Sequence, residues 1–274
     1  MVISYKRPDV FWLYPLGDIH AGTIHCAEQE IKNKVKEIAE TPNAYWVGLG
    51  DYCEFITPKD KRWEPSQQCI PDWLHQDNIA EDQQNYIINL FEPIKDKCLG
   101  LMYGNHENSI RLQNHANVHK NICDKLGVSN LGYSCFLNLR FRRCGHTSKD
   151  HHGVGHLVKC CFTHGTGGAR TEGGKINYLK EFMGSFEASI YGYAHVHAIQ
   201  IFSPQALAVN EGLKITAKGK VGALTGCWFR TYTQGEIASY GEMKVYKPSR
   251  IGCPRFYIVP DKGELGVEVP AVMP

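Results

Sequence analysis

Leu16-Gly17-Asp18-Ile19-His20-Ala21-Gly22 closes an apolar run, Val10 to Leu16, and the rest of the chain is read outward from it. The run has the composition of a strand, and the glycines after it let the chain turn sharply. Asp18 and His20 stand two apart at the strand's end, where a carboxylate and an imidazole can both reach one divalent ion. A lone Asp-x-His is common by chance, but four later apolar runs end in the same manner. Tyr45 to Gly50 ends in Asp51, and Leu99 to Gly104 in Asn105-His106. Val158 to Thr163 ends in His164, and Ser189 to Ala194 in His195-Val196-His197. In an open α/β sheet, functional groups gather beyond the carboxyl ends of the strands. Five such ends carrying Asp, Asn and His therefore predict one metal cluster.

The chain has 274 residues, 43% of them apolar, enough for an ordinary buried core. Its formal charge of +2 argues against a protein that coats nucleic acid, though a local basic patch remains compatible. There are 11 cysteines, an odd number without regular spacing, and no apolar segment follows the N-terminal Met-Val-Ile-Ser-Tyr-Lys-Arg. No uncharged run approaches the ~20 residues of a membrane helix. These features predict reduced thiols and a cytoplasmic location, with Cys135, Cys160 and Cys161 packed inside strands.

Ala27 to Glu40 carries apolar residues at helical spacing, stopped by Thr41-Pro42-Asn43. With the strands on either side it makes a βαβ unit, which implies parallel pairing. A second helix is predicted over Asp77 to Cys98, with Asp77 as its cap and Pro93 as a kink or a fresh turn. A third is predicted from Ser109 to Leu126, capped by Asn108 and ended by Gly127. His115 and His119 lie four apart on it and read as surface or half-buried side chains. Residues 57 to 76 are irregular, rich in Pro, Trp and charge, and predict a loop near the crest. Ser134 to Arg143 and His156 to Thr163 predict a long hairpin whose His-rich tip fits no standard zinc pattern. Arg140, Arg142, Arg143, Lys149 and Lys159 make that hairpin a basic arm. Lys175 to Met183 predicts a short helix. Beyond His197, Ile199–Phe202, Leu213–Ala217, Lys220–Leu224, Glu242–Tyr246 and Arg255–Val259 read as strands of a second sheet. The expectation is one domain over 1–274, with the hairpin at about 134–163 and a β-rich part over 198–274.

Taken in order, Gly17-Asp18-Ile19-His20, Gly50-Asp51-Tyr52-Cys53-Glu54, Gly104-Asn105-His106-Glu107, His164-Gly165 and His195-Val196-His197 resemble the motifs of the calcineurin-like metallophosphoesterases. The likeness spans about residues 10 to 200. It departs in Ala194, where the family has Gly before the first His, and in Glu54, where Asp is commoner. A looser likeness, to phage and bacterial members, includes the stretch Ser239 to Pro254. The resemblance implies a four-layer αββα sandwich of two mixed β-sheets, with the metal site at the crest formed by the strands' carboxyl ends. It implies two divalent ions, Mn²⁺ first, with Fe, Zn²⁺ or Mg²⁺ as alternatives. Asp18, His20 and His197 would hold one, Asn105, His164 and His195 the other, and Asp51 would bridge them.

The implied reaction is phosphoester hydrolysis, with a bridging hydroxide attacking phosphorus in line. His106 would contact the phosphate and help the leaving group depart. Glu54 is expected to orient His106 as an imidazolium, because Glu107 points the other way in an extended segment. The glycine-rich stretch after His164 brings Arg170 and Lys175, which together with Arg111 are the predicted substrate contacts. The basic arm and the aromatics of Trp228-Phe229-Arg230-Thr231-Tyr232 favour a nucleotide or nucleic-acid diester. The alternatives are a phosphomonoesterase and a catalytically silent scaffold.

Overall fold

The computed structural model describes residues 1–60, 62–63, 69–144, 155–209 and 212–269. Two six-stranded sheets lie face to face. The first is built around β2 (Phe11–Leu16), β3 (Ala44–Gly48), β4 (Cys98–Met102) and β5 (Asn130–Gly132), all parallel. Two antiparallel strands, β13 (Arg255–Val259) and β14 (Glu264–Glu268), extend it on the far side of β2. The second sheet runs β1 (Val2–Tyr5), β6 (Ser134–Arg143), β7 (Gly155–Thr163), β8 (Ile190–Tyr193), β12 (Val221–Thr225) and β9 (Ile199–Phe202). It mixes parallel and antiparallel pairs. A separate ribbon pairs β10 (Gln205–Val209) with β11 (Ile215–Gly219).

Between the sheets, Leu13, Val47, Leu49 and Met102 pack against Phe141, Cys160, Phe162 and Ile190. Helix α1 (Glu28–Glu40) turns Ile31, Val35 and Ile38 onto the outer face of the first sheet. Full burial of such a side chain contributes about 1.5–3 kcal/mol. Helices α2 (Ile79–Phe91), α3 (Asn105–Asn114) and α4 (Val118–Leu126) cover the same face. On the opposite side α5 (Glu172–Ser185) lays Leu179 and Met183 over Tyr191 and Leu224. The layers are therefore helix, sheet, sheet, helix, the α/β sandwich expected from the sequence. Pro15 sits in β2 beyond Leu13, the last residue of β2 paired with β13, so its missing donor falls where the strand has one neighbour.

Several expectations are corrected. The helix read over Ser109 to Leu126 is two helices: α3 already begins at Asn105 and ends at His115, whose φ of 54° is left-handed. Asn117 then caps α4 by accepting from the Lys120 N–H. The second helix runs from Ile79 to Phe91 rather than from an Asp77 cap to Cys98, while Pro93 does open a fresh turn, the 3₁₀ segment Glu92–Lys97. Residues 242–246 form no strand. Ser239 accepts from the Glu242 N–H and starts a single helical turn, α6 (Tyr240–Met243). The C-terminal strands also do not all join the second sheet, since β13 and β14 return to the first, while β1 from the N-terminus joins the second. The His-rich tip, with Lys149, lies outside the described residues, as does part of the 57–76 loop.

None of the 11 cysteines forms a disulfide, and Cys135, Cys160 and Cys161 are buried. No helix among the described residues is long and apolar enough to cross a membrane.

Candidate metal centre

The carboxyl ends of β2, β3, β4, β7 and β8 converge, and the chain leaves them in an unusual way. Asp18, His20, Asp51, His195 and His197 all have positive φ, between 48° and 69°. For residues other than glycine this left-handed conformation costs roughly 1–2 kcal/mol each. The loops after β2 and β3 are stitched together by backbone bonds: Asp18 N–H donates to Gly50 O, Ile19 and His20 to Asp51 O, and Ala21 to Tyr52 O. Gly50 and Gly104 meet closely beneath them. A Cβ on Gly104 would overlap Asp51 Oδ1 and lie 2.6 Å from His164 Cε1, and one on Gly50 would overlap the Gly104 nitrogen. That contact accounts for the glycine before Asp51 and the glycine before Asn105.

Three overlapping ligand groups result. Asp18, His20 and His197 form one, Asp51, His164 and His195 another, and His20, Asp51 and His106 a third that shares members with the first two, with ligand atoms within 4.8 Å of one another in each. His20 Nδ1–H donates to Glu54 Oε1 at 2.8 Å, which turns Nε2 toward the centre. There Nε2 faces His197 Nε2 across 3.0 Å. His164 Nδ1–H donates to Leu49 O at 2.7 Å, so its Nε2 likewise faces two acceptors, Asn105 Oδ1 at 3.1 Å and Asp51 Oδ2 at 3.2 Å. Asp18 Oδ2 accepts from His195 N–H, while its buried Oδ1 has no hydrogen-bond partner, and neither has buried His195 Nδ1. Nitrogen and oxygen ligand atoms that converge in this way, two of them without a hydrogen-bond partner, suit a cation. The mixed N/O donor set suits a divalent transition metal.

The carboxylates make this floor attract positive charge strongly enough to hold protons on two of the rings. Burial opposes an imidazolium at His164, but the Asp51 carboxylate outweighs it and lifts the ring to about 10. His20 rises to about 9 against its burial, through Glu54. Asp51 falls well below the usual range despite burial, chiefly because His164 favours its charge.

Glu107 closes the floor. Buried at the start of α3, it accepts from Asp51 N–H and Gly104 N–H through Oε2, and from Tyr52 N–H through Oε1. The segment is helical rather than extended, so Glu107 turns under the metal loops.

The expected pairing of Glu54 with His106 is corrected. The Glu54 carboxylate orients His20, and it is the Glu54 backbone carbonyl that accepts from His106 Nδ1–H, at 2.6 Å. Glu54 Oε2 is 3.8 Å from that nitrogen. His106 Nε2 accepts instead from Arg62 Nη1 at 2.9 Å. A guanidinium can only donate, so His106 is a neutral imidazole in this state. Burial, with His20 and Arg62 beside it, lowers its pKa against the pull of Asp51 and Glu54.

A cleft of about 1350 Å³ opens above this floor. Arg170 and Lys175 line it, the former with its guanidinium 5.3 Å from the centre of the Tyr246 ring. Arg111 does not line it. That residue is exposed and donates to Asn108 Oδ1, because the start of α3 at Asn105 phases position 111 outward. Phe229 packs edge-on against His20 at 5.5 Å, whereas Trp228 is buried in the core. Arg62 is a site residue that sequence reasoning missed. It lies in an irregular loop, with no motif to mark it.

No family model matches the chain, and no curated protein matches it. Among solved structures it is similar to a conserved uncharacterized protein from Streptococcus pneumoniae, described as a predicted phosphoesterase. Identity is 11%, over 91% of this chain and 84% of that one, with a TM-score of 0.32. It is also similar to Vps29 from Chaetomium thermophilum, at 12% identity over 96% of this chain and 95% of that one, with a TM-score of 0.37. At these scores the likenesses carry no argument about the site or its chemistry.

Proposed function

We propose that the protein is a metal-dependent phosphoester hydrolase, acting on a phosphodiester such as a nucleotide or a nucleic-acid strand. The observation that carries this reading is the set of ligand atoms meeting at the cleft floor: Asp18 Oδ1, which has no hydrogen-bond partner, the two facing Nε2 atoms of His20 and His197, and His164 Nε2 beside Asn105 and Asp51. Asp18, His20 and His197 would hold one ion and Asn105, His164 and His195 another, with Asp51 between them. Two divalent ions, Mn²⁺ first among them, supply Lewis-acid charge at phosphoryl oxygens and acidify water. Asn105, as a neutral donor, limits the negative charge that an anionic substrate meets. His106 keeps an imidazole nitrogen on the cleft side, fixed from behind by Glu54 O, and is placed to take or return a proton at the leaving oxygen. Arg170 and Lys175 add positive charge along the wall. The same wall carries Tyr240, Met243 and Tyr246, exposed side chains that a small monoester would not cover.

The test is hydrolysis of bis-p-nitrophenyl phosphate against p-nitrophenyl phosphate, with Mn²⁺ and with EDTA, beside Asp51→Asn. Faster diester cleavage, lost with EDTA and in the variant, is the expected result. Preference for the monoester would replace the diester reading with a phosphomonoesterase. A protein without bound metal and inert on both esters would be a silent scaffold.

A further inference from the structure

Arg62 is tied into the site by three of its five N–H groups. Nε donates to Asp60 Oδ1 at 3.0 Å and Nη2 to Asp60 Oδ2 at 2.9 Å, a forked pair that fixes the plane of the guanidinium. Nη1 donates to His106 Nε2. The Asp60 carboxylate is itself held, because Oδ1 also accepts the Arg62 backbone N–H at 2.9 Å. Arg62 and Asp60 both line the cleft, and His106 Nε2 stands 4.0 Å from Asp51 Oδ2, the proposed bridging ligand. Among the described residues, the second N–H of Nη1 and that of Nη2 have no acceptor.

We propose that Arg62 is the phosphate clamp of this site, a catalytic residue that binds a non-bridging phosphoryl oxygen beside His106, with Asp60 as its positioning residue. The inference rests on the phosphoester reading of the same site. A guanidinium locked in plane by one carboxylate presents its remaining donors in a fixed direction, which suits a tetrahedral oxyanion better than a mobile ammonium does. Its placement against His106 adds a second consequence. While Arg62 donates to Nε2, His106 carries its hydrogen on Nδ1, bound to Glu54 O, so Arg62 also sets the tautomer. Substrate oxygen and His106 Nε2 then share one donor group.

The experiment uses the full chain, loaded with Mn²⁺, as wild type, Arg62→Ala, Arg62→Lys and Asp60→Asn. Bound metal is measured first, and then the affinity for inorganic phosphate by calorimetry. Metal content is expected to be the same in all four, since neither residue is a proposed ligand. Phosphate affinity should fall about tenfold or more in Arg62→Ala, recover little in Arg62→Lys, and fall less in Asp60→Asn. Nitrogen-15 spectra of metal-free protein should show the His106 Nδ1–H form in wild type and a mixture of tautomers in Arg62→Ala, a change that loss of packing alone would not produce. Wild-type phosphate affinity and an unchanged His106 tautomer in Arg62→Ala would overturn the clamp while leaving the phosphoester reading in place. A wild-type protein that takes up metal but no phosphate would overturn the clamp and the phosphoester reading together, as would one that takes up neither.

Discussion

His20 and His197 present their Nε2 atoms to each other across 3.0 Å, at the ends of two strands in different sheets. One of the two, His20, has its other nitrogen committed to Glu54, so the close approach needs a proton or a metal ion between the rings. A metal ion in place of the proton would bind both rings and tie the sheets together. Metal-stripped protein should therefore melt lower than loaded protein. At metal concentrations about a hundredfold above Kd the gain is about 2.7 kcal/mol, roughly 5–10 °C for a chain of this size. Differential scanning fluorimetry with EDTA and with added Mn²⁺ measures it, and Asp18→Asn should shrink the gain.

Glu54 should act on metal affinity rather than on proton transfer. Removing its charge in Glu54→Gln loosens His20, and the expected loss is about 10–100-fold in metal binding. At saturating metal, turnover should return close to wild type. A variant that binds metal normally yet hydrolyses poorly would restore Glu54 to a role behind His106.

Gly104→Ala should empty the site without unfolding the protein. The added methyl would meet Asp51 Oδ1 and His164 together, and both are proposed ligands. Circular dichroism should remain native while bound metal drops below one ion per chain.

His119 should give the protein an acid limb. It is buried in α4, with Nε2 3.5 Å from Cys123 Sγ, and burial lowers its pKa from 6.5 to about 4. Between those values the unfolded chain binds a proton that the folded chain does not, so stability is fully present above about pH 6.5 and declines as pH falls toward 4. At about 1.4 kcal/mol per unit, the loss between about pH 7 and about pH 5 is roughly 2 kcal/mol. Urea midpoints at the two values should move apart in wild type, and by less in His119→Phe.

The convergence at the candidate metal floor was legible in the sequence because each proposed ligand follows an apolar run, and strand ends and glycine turns are local signals. Asp18, Asp51 and His164 could be placed at strand ends without knowing which strands pair. What the sequence hid is set at long range. The apolar spacing of Ile110, Val118, Ile122 and Leu126 runs on across His115, so nothing in the period announces the left-handed break. The return of β13 to β2 is a partner choice between distant segments that alternation does not record. Glu54 was found, but its carboxylate had two histidines within reach, and only the fold decided for His20. Arg62 gave no sign at all, since a single arginine in an irregular loop has neither period nor motif.

The left-handed backbone at Asp18, His20, Asp51, His195 and His197 sets durability against activity in the same few residues. Glycine would sit at any of these positions without strain, and it would bind nothing. In metal-free protein His197→Gly should therefore match or exceed the thermal stability of the parent, while taking up less metal. Variants selected for heat resistance alone would drift toward glycine here, and only a demand for chemistry would keep the histidines and aspartates in place.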